Sequence, residues 1–166
     1  MMDDAELVLG PTGPVIRFER LLPRPPSAVW RALTDREELN SWFPCDIVTD
    51  GWRVGASLRF VFREGEWHDL SGTVLECDEP ATLSFTWGDE TLRFVLSEVD
   101  GGTRLVFTDE LDQKIAARNA AGWDVCLEHL CGRTIRDDLW RERFERYVAT
   151  FVPVVGPQEG PPERPS

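Results

Sequence analysis

The feature that most constrains this chain is an alternation of apolar and polar residues that persists from about residue 58 to residue 108. Alternation with a period of two is typical of β-strands that have one buried and one solvated face. Turn signals at Gly65, 79–80, 88–89 and 100–102 separate the alternating segments at short intervals. Because consecutive strands joined by short turns pair with each other, the sequence predicts an antiparallel meander of about five strands.

The segments on either side of the meander add a strand and helices. Residues 15–22 alternate as a first strand, and two short helices follow at about 27–33 and 35–43. After Asp112 the apolar residues recur at three- and four-residue steps, which is the period of a helix with one buried side. That stripe comprises Ala116, Ala120, Trp123, Leu127 and Leu130. The predicted fold class is α+β: a curved antiparallel sheet of about six strands wrapped on a long C-terminal helix, with two short helices after the first strand.

The composition of the two ends predicts little ordered structure. Residues 1–13 are acidic and contain Gly10, Pro11 and Gly13, and residues 153–166 are rich in proline and glycine. Such segments bury too little apolar surface to offset the entropy of ordering. We therefore expect disordered tails at 1–13 and 153–166 around a single domain at 14–152, in which residues 133–152 form an additional C-terminal helix.

The charge balance excludes several classes of partner. The net charge is −12, which repels phosphate backbones and anionic lipid surfaces unless a local basic patch dominates. The densest basic stretch, 133–146, is interleaved with acids, and no segment approaches the ~18 to 20 apolar residues of a membrane span. The N-terminus lacks the basic start and apolar run of a signal peptide. We expect a cytoplasmic protein that binds no nucleic acid and does not insert into membranes.

The four cysteines do not predict a disulfide framework or a metal site. Cys45, Cys77, Cys126 and Cys131 form no C-x-x-C pair, so reduced buried thiols are the favoured interpretation. Cys126, His129 and Cys131 are close in sequence, but on a helix their directions spread around the axis. We expect neither a metal nor another cofactor.

Several segments together resemble a known family. They are R-P-P-S-A-V-W-R-A-L-T-D at 24–35, L-N-S-W-F at 39–43, G-T-V-L-E-C-D-E-P-A-T-L-S-F-T-W at 72–87, G-G-T-R-L-V-F-T at 101–108 and N-A-A-G-W-D-V-C-L-E-H-L at 119–130. Their order and spacing resemble the START-like, or SRPBCC, helix-grip superfamily. Within it, the chain is similar to the branch of the C-terminal domain of the Hsp90 ATPase activator. One departure is Asn119, where the family usually has His.

This resemblance carries expectations about function. It implies a deep pocket between the curved sheet and the long helix over roughly residues 15–131. Members of the superfamily bind lipids, sterols, polyketides or other apolar molecules, and some are cyclases or aromatases. The partner implied is therefore a small apolar molecule. A chaperone partner is an alternative, although the activator role also uses a separate Hsp90-binding N-terminal domain.

Strand and helix parity predicts which side chains face that space. An aromatic lining with a few polar groups suits an apolar ligand, whereas closely packed rings would form a solid core, and the sequence leaves both open. The candidate ligand-binding residues are Trp42, Phe43, Phe60, Phe62, His68, Phe85, Trp87, Phe94, Leu96, Phe107, Asp109, Trp123 and Leu127.

Two polar members of this set could carry chemistry. Asp109 shares the parity of Phe107, so it is either an internal polar anchor, an acid or base with a raised pKa, or a wetted residue at the rim. His68 could orient a ligand or move a proton, or it could lie exposed at a strand start. The sequence has no nucleophile elbow, phosphate loop or zinc-protease motif, so no residue is assigned a catalytic role.

Three functions remain open on these grounds. The first is a binding module for a small apolar, lipid-like or aromatic molecule. The second is an enzyme of the cyclase, aromatase or hydrolase kind that uses His68, Asp109 or Glu76 in the same space. The third is a protein-interaction or chaperone-regulator module, with a homodimer formed through the additional helix at 133–152.

Overall fold

The computed structural model describes residues 4–62 and 67–161, and its central feature is one antiparallel sheet. The strand order is β1-β2-β8-β7-β6-β5-β4-β3. The predicted turn at Gly65 lies outside the described residues. The strands are β1 (Glu6–Gly10), β2 (Gly13–Leu22), β3 (Asp46–Val48), β4 (Ser57–Val61), β5 (Leu70–Asp78), β6 (Thr82–Trp87), β7 (Glu90–Val99) and β8 (Gly102–Glu110).

The helices lie before and after the meander, as the period changes predict. Two short helices follow β2, and the last two form the C-terminal part of the fold. They are α1 (Pro26–Thr34), α2 (Arg36–Leu39), α3 (Ala116–Leu130) and α4 (Leu139–Val155), with a 3₁₀ turn at Gln113–Ile115 before α3. At the start of α2 the Asp35 carboxylate accepts a hydrogen bond from the Glu38 backbone N–H at 3.1 Å. This is the capping interaction of a helix N-terminus.

The α+β class and the antiparallel sheet are confirmed, but the sheet has eight strands rather than about six. The two extra strands, β1 and β3, lie at opposite edges. Strand β1 falls in the segment 1–13 that composition assigns to a disordered tail, and it pairs with β2 in the register Leu7↔Ile16. The backbone of β2 supplies hydrogen-bond partners to β1, whose side chains stay mostly exposed.

The C-terminal segment also differs from the prediction that structure stops at residue 152. Helix α4 continues through Pro153 to Val155. Proline near the last turn costs little, because only one intrahelical hydrogen bond is lost. Beyond the helix, the Gln158 side chain accepts a hydrogen bond from the Ala117 backbone N–H at 2.9 Å. Residues 156–161 therefore return to the beginning of α3.

The core lies between the inner face of the sheet and α3. Alternate strand residues are buried there, as parity predicts. Helix α3 covers this face with small residues such as Ala120 and Ala121, and α4 packs against α3. No helix in the described part of the chain is long and apolar enough to cross a membrane.

Candidate functional site

The predicted lining residues meet in one continuous group of rings, which we call the aromatic cluster. Its members are Trp42, Phe43, Phe60, Phe62, Phe85, Trp87, Phe94, Phe107 and Trp123. The closest pair, Phe94 and Phe107, is stacked with centroids 4.6 Å apart, and Trp123 meets Phe107 edge-on at 4.9 Å. These are ordinary contact distances for aromatic side chains. The buried part of the cluster is therefore packed ring against ring.

One end of the aromatic cluster is accessible. Phe62 and Trp87 are only partly buried, and their ring centroids lie 6.3 Å apart. Trp87 connects this end to the buried rings, because it lies 5.7 Å from Phe60 and 5.0 Å from Trp123. We call Phe62 and Trp87 the open end. A ligand could contact the aromatic cluster here without displacing the packed rings behind it.

The remaining candidates divide between the interior and the surface. Leu96 and Leu127 are buried members of the same core. His68, in contrast, is exposed and lies before β5, which begins only at Leu70. His68 therefore does not join the buried lining that strand parity predicts, because β5 does not extend far enough to turn its side chain inward. Glu76 is also exposed, where it pairs with Arg93 on the outer face.

Asp109 is the most completely buried polar residue of the sheet. Its side chain is fully buried, and its Oδ2 accepts a hydrogen bond from Trp123 Nε1 at 2.9 Å. Its Oδ1 is also buried, and no donor of the described residues bonds to it. Burial, followed by the charge of the nearby Glu90 carboxylate, raises the pKa of Asp109 well above its ordinary value. The alternative of a wetted rim residue is excluded for Asp109.

Glu90 and Asn119 complete this polar group and were not among the predicted site residues. Glu90 is the first residue of β7 and shares the parity of Leu92, so it faces inward within hydrogen-bonding reach of Asp109. Its Oε1 accepts a hydrogen bond from Asn119 Nδ2 at 2.8 Å. Burial raises the pKa of Glu90. We call Asp109, Glu90, Asn119 and Trp123 the acid pair site.

A second buried carboxylate, Asp124, lies in a different environment. Arg20 Nη2 donates to its Oδ1 at 2.9 Å, and the Tyr147 hydroxyl donates to its Oδ2. Arg143 lies 4.0 Å from the same carboxylate. Burial raises the pKa of Asp124 to about 6 in spite of these partners. The group joins β2, α3 and α4, which indicates a structural role.

The cysteines and histidines do not converge on a metal site in the described ranges 4–62 and 67–161. No group of three or more His, Cys, Asp or Glu side chains is arranged there to hold a metal ion. Burial raises the pKa of the Cys45 thiol and raises that of Cys126 to about 12, so both stay protonated at neutral pH. Cys131 and the exposed His129 border a groove of about 380 Å³ at the end of α3.

Comparisons with solved structures identify the fold. CalU16 from Micromonospora echinospora is 26% identical with a TM-score of 0.70, covering 90% of this chain and 99% of that protein. A conserved protein of unknown function from Enterococcus faecalis, EF2215, is 21% identical with a TM-score of 0.76, covering 90% and 91%. The Aha1 dimer from Colwellia psychrerythraea is 22% identical with a TM-score of 0.60, covering 70% and 92%. Among curated proteins, none matches the chain.

The family comparison agrees with the resemblance seen in the sequence motifs. The model of the Activator of Hsp90 ATPase homolog 1-like protein family matches residues 23–132. The match covers the segment from the end of β2 to the end of α3, which holds the buried part of the aromatic cluster and the acid pair site. The chain therefore belongs to the Activator of Hsp90 ATPase homolog 1-like family, within the START-like, or SRPBCC, helix-grip superfamily.

Proposed function

We propose that this protein binds a small aromatic or apolar molecule at the open end of the aromatic cluster. The observation that carries this proposal is the partial exposure of Phe62 and Trp87 in a group of rings that is otherwise buried. Exposed rings that continue a buried aromatic surface offer a ligand stacking contacts on a rigid support. The half-buried Leu70 of β5 is a further apolar residue packed against the same core.

The acid pair site supports the proposal because it places polar groups beside the open end. Trp87 and Glu90 are directly paired across the β6–β7 hairpin, so their side chains leave the sheet on the same face. Trp123 contacts Trp87 and donates to Asp109, which links the rings to the acids. An apolar surface with a small number of convergent polar groups is the usual composition of a ligand site.

The test uses a neutral dye, N-phenyl-1-naphthylamine, whose emission rises in an apolar site. We expect saturable binding by the wild-type chain and at least about tenfold weaker binding by Trp87→Leu, because an aromatic anchor contributes about 1.5 kcal/mol or more. Trp140→Leu is the matched control, since Trp140 is partly exposed but lies on α4, stacked on Phe144. Equal binding by the Trp87 variant, or no saturable binding by the wild type, would refute the proposal.

Acid–base catalysis on a bound molecule is a second candidate, and the buried acid pair is the observation that favours it. A buried carboxyl with a raised pKa can hold a proton at neutral pH and deliver it to a substrate beside it. In a cyclase-, aromatase- or hydrolase-like reaction, Asp109 would be this acid and Glu90 its partner. Any molecule retained by the wild type should then be converted by it and left unchanged by Asp109→Asn, as followed by mass spectrometry. Retention without conversion would exclude this candidate.

A further inference from the structure

The two buried carboxylate environments of this protein differ in how their charge is compensated. Asp124 has Arg20 at 2.9 Å, Arg143 at 4.0 Å and the Tyr147 hydroxyl. Within the described residues, neither Asp109 nor Glu90 forms an ion pair with an arginine, lysine or histidine. Buried charges are normally paired, because desolvation is costly. At the acid pair site no such partner is present among the described residues, so Asp109 keeps a proton instead, and a bound cation could take the place of that proton beside Glu90.

The local hydrogen bonds show the same deficit. Among the described residues, Trp123 Nε1 donates to Asp109 and Asn119 Nδ2 donates to Glu90, and Asn119 also lies within hydrogen-bonding reach of Asp109. The second oxygen of Asp109, Oδ1, is fully buried and receives no donor from the described residues. Arg118 is near enough for its charge to favour ionised Glu90, but the carboxylate with which it forms an ion pair is that of Glu159, at 3.2 Å. A ligand group with several N–H donors would supply what these oxygens lack.

We propose that the acid pair site recognises the ammonium group of an aromatic or apolar amine, whose apolar body lies on the open end of the aromatic cluster. This inference rests on the proposed function and adds the chemical class of the ligand. An ammonium group provides one positive charge and up to three donors, so it can bond to Glu90 and Asp109 together. A hydroxyl would provide a donor without the charge, and a carboxylate would be repelled.

The surrounding rings favour the same class of ligand. Trp87 and Trp123 are in edge contact with centroids 5.0 Å apart, and both lie beside the acids. Indole faces attract cations through the ring quadrupole, most strongly in partly desolvated sites. At longer range, the net charge of −12 raises the local concentration of cations around the protein.

The approach to the acids is from the open end. Glu90 is partly exposed, whereas Asp109 lies fully buried behind it. Phe62 and Trp87 border this side, so a flat apolar group stacked on Trp87 would place a short aminomethyl arm at Glu90. The amine would therefore contact Glu90 first and Asp109 Oδ1 through its remaining donors. This order predicts that both acids contribute to affinity.

Three probes with one ring system separate the possibilities: 1-naphthylmethylamine, 1-naphthalenemethanol and 1-naphthoate. Isothermal titration calorimetry at pH 7.5 should show the amine binding at least about tenfold tighter than the alcohol, because a close charge pair contributes about 1.5 kcal/mol or more. The naphthoate should show no binding. Glu90→Gln and Asp109→Asn should each weaken amine binding about tenfold while the alcohol changes less than about twofold.

The control separates local recognition from the overall field of the protein. Glu98 lies on the same strand β7 but is exposed, so Glu98→Gln removes the same charge away from the site. It should leave all three affinities unchanged. An alcohol that binds as tightly as the amine, or an amine indifferent to both acid variants, would overturn the amine inference while leaving the proposed function standing. Failure of both the amine and the alcohol to bind would count against both proposals.

Discussion

Trp123 and Asp109 connect α3 to β8 through a hydrogen bond of 2.9 Å from the indole Nε1 to the carboxylate Oδ2. Through this bond Trp123 donates to a carboxyl whose pKa is raised by burial and by Glu90. An asparagine at 109 would retain an oxygen acceptor for Trp123 and supply an amide N–H toward Glu90. The relationship therefore gives a stability prediction that is independent of any ligand.

We expect Asp109→Asn to stabilise the protein at neutral pH and above, by about 1 kcal/mol or more. In the folded state Asp109 keeps a proton that the unfolded chain releases above about pH 4. The wild type should thus lose stability as the pH rises from about 4 through the raised pKa, whereas the variant should not lose this contribution. Urea denaturation at pH 4, 6 and 8 measures the effect. If the unfolding free energies of the two proteins changed with pH in the same way, the prediction would be contradicted.

The corresponding substitution at the other buried acid, Asp124→Asn, should destabilise the protein. Asp124→Asn removes the carboxylate that pairs with Arg20 at 2.9 Å and leaves the buried charge of Arg20 without an ion pair, whereas Arg143 keeps Asp4 at 2.6 Å. Breaking a buried ion pair on one side typically costs about 3 kcal/mol or more. Thermal unfolding at pH 7.5 should show a large loss for Asp124→Asn and almost none for the exposed control Glu98→Gln. A neutral effect of Asp124→Asn would show that Arg20 finds another partner.

The packing of α4 can be tested through Phe151. Its side chain is 1% exposed and stacks on Tyr147 at 5.2 Å, so Phe151→Ala should cost about 3 to 4 kcal/mol of unfolding free energy. Val154, which is 56% exposed on the same helix, is the control, and Val154→Ala should change stability by less than about 0.5 kcal/mol. Urea titration of both variants gives the comparison. A small loss for Phe151→Ala would mean that α4 is dispensable for folding.

Two glycines should respond in opposite directions to alanine. A Cβ at Gly72 would lie 1.9 Å from the Thr86 carbonyl oxygen, which is backbone and cannot yield, so Gly72→Ala should abolish or severely reduce folding. At Gly122, within α3, the nearest atom would be Trp140 Nε1 at 3.9 Å. Gly122→Ala should therefore stabilise the helix by up to about 1 kcal/mol. Circular dichroism melting curves distinguish these outcomes, and a stable Gly72→Ala protein would disprove the steric argument.

Period-two parity in the strands was the most informative part of the sequence. It placed Phe60, Phe85, Phe94 and Phe107 on one buried face and correctly grouped Asp109 with them. Parity works there because the pairs across β7 and β8 fix the register over nine residue pairs, from Thr91↔Glu110 to Val99↔Gly102. It could not show that the buried rings would pack against one another, since that depends on side-chain rotamers.

The errors occurred where a strand begins or ends. Strand β5 begins at Leu70, two residues after His68, so His68 was predicted to face inward although it lies before the strand. Strand β7 begins at Glu90, two residues before the predicted first inward residue Leu92, so Glu90 was left out of the predicted site. Strand β1 was missed because the acidic and glycine–proline composition of residues 1–13 outweighed its three apolar residues, which stay largely exposed, and because its hydrogen bonds depend on β2. Asn119 stood out in the sequence only as a departure from the family's usual His, and its role could not be predicted because its partner Glu90 is 29 residues away in the chain.

The residues before β1 are held by the last helix rather than by their sequence neighbours. Asp4 bonds to Arg143 at 2.6 Å and to Arg146 at 2.9 Å, and the Ala5 N–H donates to the Tyr147 hydroxyl at 2.9 Å. During synthesis on a ribosome, which proceeds in the N- to C-terminal direction, these partners emerge about 140 residues after the groups they bind. The hydrogen bonds of Asp4 and Ala5 to α4 can therefore form only after α4 has been translated, whereas β1 can pair with β2 as soon as both strands have emerged.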